Sequence, residues 1–380
     1  MKIIEIPLEH RIDFNEFKKC ISFISEDIIG FFIEKGTLKV QVHDEADIDL
    51  LTTLILNQLS KFKTVEVQRE KVIFEQIKRN QYQNLEQLNN SDLVYKFSDG
   101  IISLKNEAIS LLNFFDKNFK DIAMSINGQE VSYPTLLPIE TLYKTGYLKT
   151  SPQYSIFCCC PKENFSELEK LSSAYKDRSE IKEILTEPQF TLSPAACFHT
   201  YEHLKDTELP RPQVFTFKQS VFRNEGRLNW DDFGRLRDYH VRETVFIGSE
   251  AFVNESREKM AEATIDFIKD IGLDARLSIA YDPFVMPKMQ KFKKVQLQEE
   301  SKYELEIFYD QGKSLAAASF NLHGNAFTMP FNISVQGLER AVTGCVGYGL
   351  ERWVLAFLAQ FGHNKDSWPE CVKSYISNLY

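Results

Sequence analysis

Apolar and polar positions recur along the chain in two regimes, and they divide it unequally. In residues 1–75, KIIEIPL alternates like a strand and DFNEFKKCISFI has helical spacing. IIGFFIEKGTLKVQV predicts a strand pair turning at Lys35-Gly36. DIDLLTTLILNQLSKF predicts a strongly amphipathic helix, and KTVEVQREKVIF a closing strand. The order β-α-β-β-α-β fits a small α/β unit of ferredoxin-like layering. Residues 76–93 are polar and rich in Gln and Asn, as in a linker or an exposed helix. Residues 94–380 form the larger part. ISLKNEAISLLNFFDKNF reads as a helix, VSYPTLLPIE as extended chain, YSIFCCC as an apolar strand and NFSELEKLSSAYKDRSEIKEIL as a charged helix. Four strands are expected at QVFTFKQSVFRNE, DYHVRETVFIG, KYELEIFYD and KSLAAASFN. A Gly-rich turn then leads into the apolar helix that closes TGCVGYGLERWVLAFLAQFG. The fold class is therefore α+β, an antiparallel sheet flanked by helices.

Composition narrows the function classes. The 380 residues are 43% hydrophobic and 26% charged, ordinary for a globular protein. No run of 18 uncharged apolar residues occurs, and the first residues lack a signal-like apolar stretch, so a cytoplasmic protein is expected. Seven cysteines are too few for a disulfide framework; they are core residues, metal ligands or nucleophiles. The formal charge of −9 gives no support to strong nucleic-acid binding.

Two stretches carry candidate chemistry. In Val221-Phe222-Arg223-Asn224-Glu225, an Arg at a strand end can clamp a phosphate, and Glu225 shares its face. The following loop adds Arg227, Arg235 and Arg237. Alone, this reads as a charged hairpin on a solvated face. In Gly344-Cys345-Val346-Gly347-Tyr348-Gly349-Leu350-Glu351-Arg352, glycines before an apolar helix permit close backbone approach, and Arg352 lies in the first turn, where phosphate is favoured. Glycines also serve plain helix–strand packing. In this order the two stretches resemble motifs 2 and 3 of the class II aminoacyl-tRNA synthetases, with a motif 1-like helix and strand at 102–138. The resemblance covers residues 94–380. It implies a six- or seven-stranded antiparallel sheet binding bent ATP, with Arg223 on the α-phosphate and Arg352 on the γ-phosphate. Glu225 would lie near the adenine and Arg235 near the outer phosphates. It also implies a homodimer.

Cys197, in TLSPAAC, precedes the first stretch as a zinc-binding cysteine does in the threonyl and atypical archaeal seryl synthetases. That resemblance implies a zinc set of Cys197, Glu243 and Cys345, 46 and 102 residues apart, with one open position for the substrate amino group. Cys197, His199 and His203 form an alternative set. TLYKTGYLKTSP, LSPAAC, VRETVFIG, KYELEIF, ASFNLHG and CVGYGLER together resemble the amino acid:[carrier protein] ligases, bacterial homologues of the atypical seryl synthetase. That family makes an aminoacyl adenylate from ATP and a small amino acid, glycine or alanine in known members. It then loads the phosphopantetheine thiol of a carrier protein. Residues 1–93 exceed what such ligases need and suggest RNA binding or carrier docking. Glu304 and Glu306 alternate toward the ATP side and are candidate Mg²⁺ ligands, although Ala316 and Ala317 stand near the place where a metal-binding acid is usual. Asn321 is expected on the substrate side. Lys288, Lys291, Lys293 and Lys294 form a solvated basic cluster or a carrier-docking patch. Cys158, Cys159 and Cys160 are expected to pack in the core. The alternatives are an atypical seryl-tRNA synthetase that charges tRNA and a non-catalytic synthetase paralogue.

Overall fold

The computed structural model of the chain describes residues 1–8, 12, 14–62, 71–83, 92–173, 181–228, 233–282 and 289–378. Strand β1 (Lys2–Pro7), helix α1 (Phe14–Ile21), strands β2 (Ile28–Glu34) and β3 (Thr37–Val42), and helix α2 (Ile48–Leu59) share one apolar core around Ile4, Phe17, Val40 and Ile55. The strands pair in the antiparallel order β1-β3-β2. Lys35 and Gly36 both have positive φ, 50° and 77°, as a two-residue hairpin turn requires. Asp47 caps α2 by accepting from Leu50 N at 3.0 Å.

Of the strand expected to complete this unit, residues 63–70 lie outside the described residues. Val72–Gln76 is strand β4, but it pairs with β14 (Ala275–Ile279), leaving a three-stranded sheet near the N-terminus among the described residues. The chain beyond it is docked as well. Buried Asp274 accepts from Lys78 N and Arg79 N, both at 2.9 Å, and Gln83 N donates to Ala359 O. Residues 84–91 of the expected linker lie outside the described residues.

A hairpin, β5 (Val94–Ser98) and β6 (Ile101–Leu104), leads into helix α3 (Glu107–Ser125) and the short β7 (Gln129–Glu130). A small sheet follows, formed by β8 (Leu136–Pro138), β9 (Ile156–Cys158) and β10 (Phe190–Leu192). Around it lie the short helices α4 (Ile139–Lys144), α5 (Tyr147–Thr150), α6 (Phe165–Ser173), α7 (Ile181–Ile184) and α8 (Phe198–His203). Beyond a short strand, β11 (Glu208–Leu209), come β12 (Gln213–Phe222), β13 (Asp238–Gly248) and helix α9 (Glu250–Ile271). After β14, helix α10 (Gln290–Gln298) precedes β15 (Lys302–Asp310) and β16 (Lys313–Gly324). β17 (Ser334–Val335) pairs with β11, and β18 (Val342–Gly349) runs into helices α11 (Leu350–Phe361) and α12 (Glu370–Ser377).

The main sheet has eight strands in the order β4-β14-β15-β16-β18-β13-β12-β7, antiparallel except for the β7–β12 pair. Helices α3, α9 and α11 cover one face through Phe115, Phe119, Met260, Trp353 and Phe357. Helix α11 is buried nearly all round, as its apolar run from Trp353 to Ala359 requires. Arg242 on β13 grips Asp116 on α3 with two bonds of 2.8 and 3.0 Å. The opposite face of the sheet carries the site.

Two further sequence expectations change. Residues 342–349 form a strand rather than a turn, because their glycines are paired between β13 and β16. Cys159 and Cys160 are exposed past the end of β9, so only Cys158 is even half-buried. Among the described residues no helix is long and apolar enough to cross a membrane.

Candidate functional site

Strand register assembles the site. Glu304, Ser319, Gly347, Glu243 and Phe217 are paired in a line across β15, β16, β18, β13 and β12, so they share one face. The next line on that face is Lys302, Asn321, Cys345, Val245 and Phe215. Glu243 and Cys345 are therefore diagonal neighbours. Cys197, immediately before α8, comes down on them, and the ligand atoms of the three lie within 4.8 Å of one another. Gly347 makes the room: a Cβ there would stand 2.5 Å from Glu243 Oε2.

All three residues are buried. Burial, then Cys345, pushes the Glu243 carboxyl well above its usual range, while Arg223 opposes the shift. The hydrogen bond with Cys197 and then burial push the Cys345 thiol up. The protein alone thus favours the protonated forms; a divalent cation favours the deprotonated ones. Two sulfurs and one carboxylate with a fourth position open suit zinc. Asn321 Nδ2 reaches Cys345 Sγ at 3.6 Å and Ser319 Oγ at 3.1 Å. His323, two residues along the same strand face, sets Nε2 3.7 Å from Cys345 Sγ and Nδ1 3.3 Å from Tyr201 OH. Burial lowers its pKa to about 4, so the ring is neutral.

The arginines gather beside this cluster. Arg223 follows the last residue of β12, and its Nε donates to Pro194 O at 3.0 Å. Tyr239 first, then Tyr147 and Glu225, hold the guanidinium protonated against the cost of burial. Tyr239 also lies under Arg352, 5.1 Å from ring centroid to guanidinium carbon. Arg352 donates from Nη1 to Ala316 O at 3.0 Å, and its buried Nε makes no hydrogen bond among the described residues. Glu225 and Arg235 are ion-paired at 2.8 Å. Lys302 bonds Asp282 at 2.8 Å and stands 3.5 Å from Glu304. Burial would raise the Asp282 carboxyl, but Lys302 and Gln296 outweigh it and leave it below the usual range.

The chain matches no family profile. It is 29% identical over 277 residues to a type-2 serine–tRNA ligase of Methanocaldococcus jannaschii, covering 68% of this chain and 52% of that protein. It is 28% identical over 252 residues to amino acid–[acyl-carrier-protein] ligase 1 of Bradyrhizobium diazoefficiens, covering 65% of this chain and 76% of that one. The chain thus spans about half the length of the seryl-tRNA ligase relatives it matches. Its structure resembles Methanopyrus kandleri seryl-tRNA synthetase, solved in complex with a tRNA, with a TM-score of 0.74 at 21% identity over 100% of this chain and 78% of that one. It also resembles the Pyrococcus horikoshii enzyme solved with ATP, with a TM-score of 0.55 at 13% identity over 74% and 58%. The core is class II aminoacyl-tRNA-synthetase-like.

Within this synthetase-like core, the structure gathers Cys197, Glu243 and Cys345, and the alternative histidines turn elsewhere. His203 Nδ1 is 3.1 Å from Tyr133 OH, and His199 Nε2 is 3.4 Å from Leu136 O. Glu306 is engaged by Arg276 at 2.7 Å and by Ser314. Among the described residues, Glu304 and Glu306 belong to no cluster of three or more candidate metal ligands. Lys293 lies over Tyr281, 4.8 Å from the ring, and over Phe62 at 5.8 Å; Lys288 lies outside the described residues. Sequence reasoning missed His323, Asp282 and Lys302. For His323 the available signal was its position two residues after Asn321 on a strand.

Proposed function

We propose that this chain activates a small amino acid with ATP and passes the aminoacyl group to the phosphopantetheine thiol of a carrier protein. The observation that carries the reading is the buried Cys197/Glu243/Cys345 cluster beside Arg223 and Arg352. The three side chains would hold Zn²⁺, whose Lewis acidity captures a free α-amino group. Arg223 would neutralise the α-phosphate as the substrate carboxylate attacks phosphorus in line and pyrophosphate leaves. Arg352 would hold the outer phosphates, and the Glu225–Arg235 pair would border the nucleotide. Glu304 would meet the nucleotide-bound Mg²⁺, and Asn321 would line the amino-acid side. In the second step the thiol attacks the mixed anhydride carbonyl and AMP leaves. No side-chain nucleophile is required.

Two observations favour the carrier protein as acceptor. The carrier-protein ligase relative is matched over 76% of its length. Residues 1–62 hold seven basic and eleven acidic side chains, a poor surface for a polyanion. The second reading is a seryl-tRNA synthetase, favoured by the type-2 serine–tRNA ligases at 27–29% identity. ATP–pyrophosphate exchange over a panel of amino acids tests the first step. Labelled amino acid supplied with holo-carrier protein or with total tRNA tests the second.

A further inference from the structure

The unit formed by residues 1–62 touches the synthetase-like core at the loop that follows Arg223 and Glu225. Arg227 donates from Nη1 to Ile28 O at 2.9 Å and from Nη2 to Ser25 O at 3.0 Å. Its guanidinium is thereby committed to backbone carbonyls of the N-terminal unit, not to a ligand. Gly226 has φ +86°, and a Cβ there would fall 2.6 Å from Ser22 Oγ and 3.1 Å from the Phe23 ring. Leu228 packs against the core of the N-terminal unit. At a separate point, Lys293 reaches over Phe62. The same loop is tied inward: Arg237 Nη2 donates to Gly226 O at 2.8 Å and its Nη1 to Asn224 Oδ1 at 3.1 Å, while Glu225 pairs with Arg235.

We propose that the N-terminal unit is a clamp that holds the nucleotide-side loop in its binding shape, with Arg227 as the positioning residue. The proposal rests on the reading of Arg223, Glu225 and Arg235 as the nucleotide side. The physical logic is population shift: a loop that adopts its binding shape only part of the time shows an apparent affinity reduced by that fraction. Two charge-assisted bonds to fixed carbonyls, with a close glycine contact beside them, keep that fraction near one. Arg227 touches no ligand in this scheme; it acts through Glu225 and its partners.

The test uses the full chain with Arg227→Ala, Arg227→Lys and, beside it in the same loop, Gly226→Ala, each first shown to keep its circular dichroism. Amide hydrogen exchange is followed in segments 22–28, 223–228 and 233–240, and ATP binding is measured at equilibrium and through pyrophosphate exchange. In Arg227→Ala, protection should fall in all three segments together. The apparent ATP dissociation constant and KM should rise about tenfold, the effect of a loop ordered about a tenth of the time, with the maximal exchange rate within about twofold of wild type. Arg227→Lys should recover part of both effects, and Gly226→Ala should reproduce them. Loosening confined to 22–28, or loosening everywhere without a change in ATP affinity, overturns the clamp. A wild-type chain that binds no ATP overturns the nucleotide reading instead, and the coupling between the segments in hydrogen exchange then still stands or falls alone.

Discussion

A carboxyl group buried as deeply as Glu243 keeps its charge only beside a positive partner, and the structure offers it two thiols and the more distant Arg223. That imbalance leads to the first prediction. Metal analysis should find about one zinc per chain, and Cys345→Ser or Glu243→Gln should each weaken zinc binding by at least tenfold in competition with a chelator. Either variant holding zinc like wild type would remove the metal site. The arginines give the second. Arg223→Ala and Arg352→Ala should each slow adenylate formation on the order of a hundredfold, because each removes charge from a desolvated site. Undiminished pyrophosphate exchange in either variant would disconnect them from phosphate. His240 gives a third, in pH. Its Nδ1 lies 2.6 Å from Glu351 Oε1, and that bond raises its pKa against burial and Lys218, with Asp238 assisting. A raised histidine stabilises the fold fully below its unfolded pKa of about 6.5 and loses that effect as pH rises through the folded value. The stability gap between wild type and His240→Asn should be widest near pH 6, below about 1 kcal/mol for a partly exposed pair, and should close toward pH 9 in urea titrations. A gap that does not change with pH would exclude the charged pair. Cys197, Glu243 and Cys345 were legible because their order matched a known ligand pattern. Asp282 and Lys302 were not, since sheet register and a loop join residues whose spacing carries no periodic signal.

At the scale of elements, β12, β13, β15 and β16 were legible from alternation, whereas β18 and β14 were not. The glycines of β18 look like a turn in sequence, but the structure uses them for approach: Gly347 to the Glu243 carboxylate and Gly344 to Phe246 and Asn321 O. Gly347→Ala should therefore displace Glu243 and lower zinc content while leaving circular dichroism unchanged. Normal zinc content in that variant would show that the carboxylate has another way to reach the cluster. β14 is only five residues long and buried on both faces, too short to separate from a helix end by pattern. The neighbouring anchor was equally hidden. Asp274 is fully buried and holds Lys78 N, Arg79 N and Tyr82 OH, with the Arg79 guanidinium 3.2 Å away. Burial first, then Asp274, raises the Tyr82 phenol to about 12. Asp274→Ala leaves the Lys78 and Arg79 backbone donors and Tyr82 OH without this acceptor, while the Arg79 guanidinium keeps Gly272 O and Gln360 Oε1. It should cost about 3 kcal/mol of unfolding free energy and open residues 77–83 to protease. A loss below about 1 kcal/mol would mean that this segment is held mainly by Gln360 and Phe361, which also contact Arg79.

For the molecule as a whole, the question is which acceptor the site serves. The motif 1 resemblance leads to the expectation of a homodimer, so light scattering should give twice the chain mass of 44.1 kDa. A stable monomer at working concentration would contradict that assembly. A dimer alone does not choose the acceptor; surface charge bears on it more directly. A tRNA is bound chiefly through its phosphates, so it needs an extended basic surface and loses affinity steeply with salt. The N-terminal unit has an acidic balance, and two of the basic groups near its contact with the core are already engaged: Arg227 by Ser25 and Ile28, Lys293 by Tyr281 and Phe62. A carrier protein needs less, a small docking patch and a path for a thiol on a long arm. Incubated with ATP, labelled small amino acid and holo-carrier protein, the chain should place hydroxylamine-sensitive label on the carrier, and none on the apo form that lacks the thiol. Parallel incubation with total tRNA should give little label, and that little should vanish as salt rises. Label on tRNA alone would reject the carrier-protein reading and make the chain a seryl-type synthetase whose acidic N-terminal unit keeps clear of the nucleic acid.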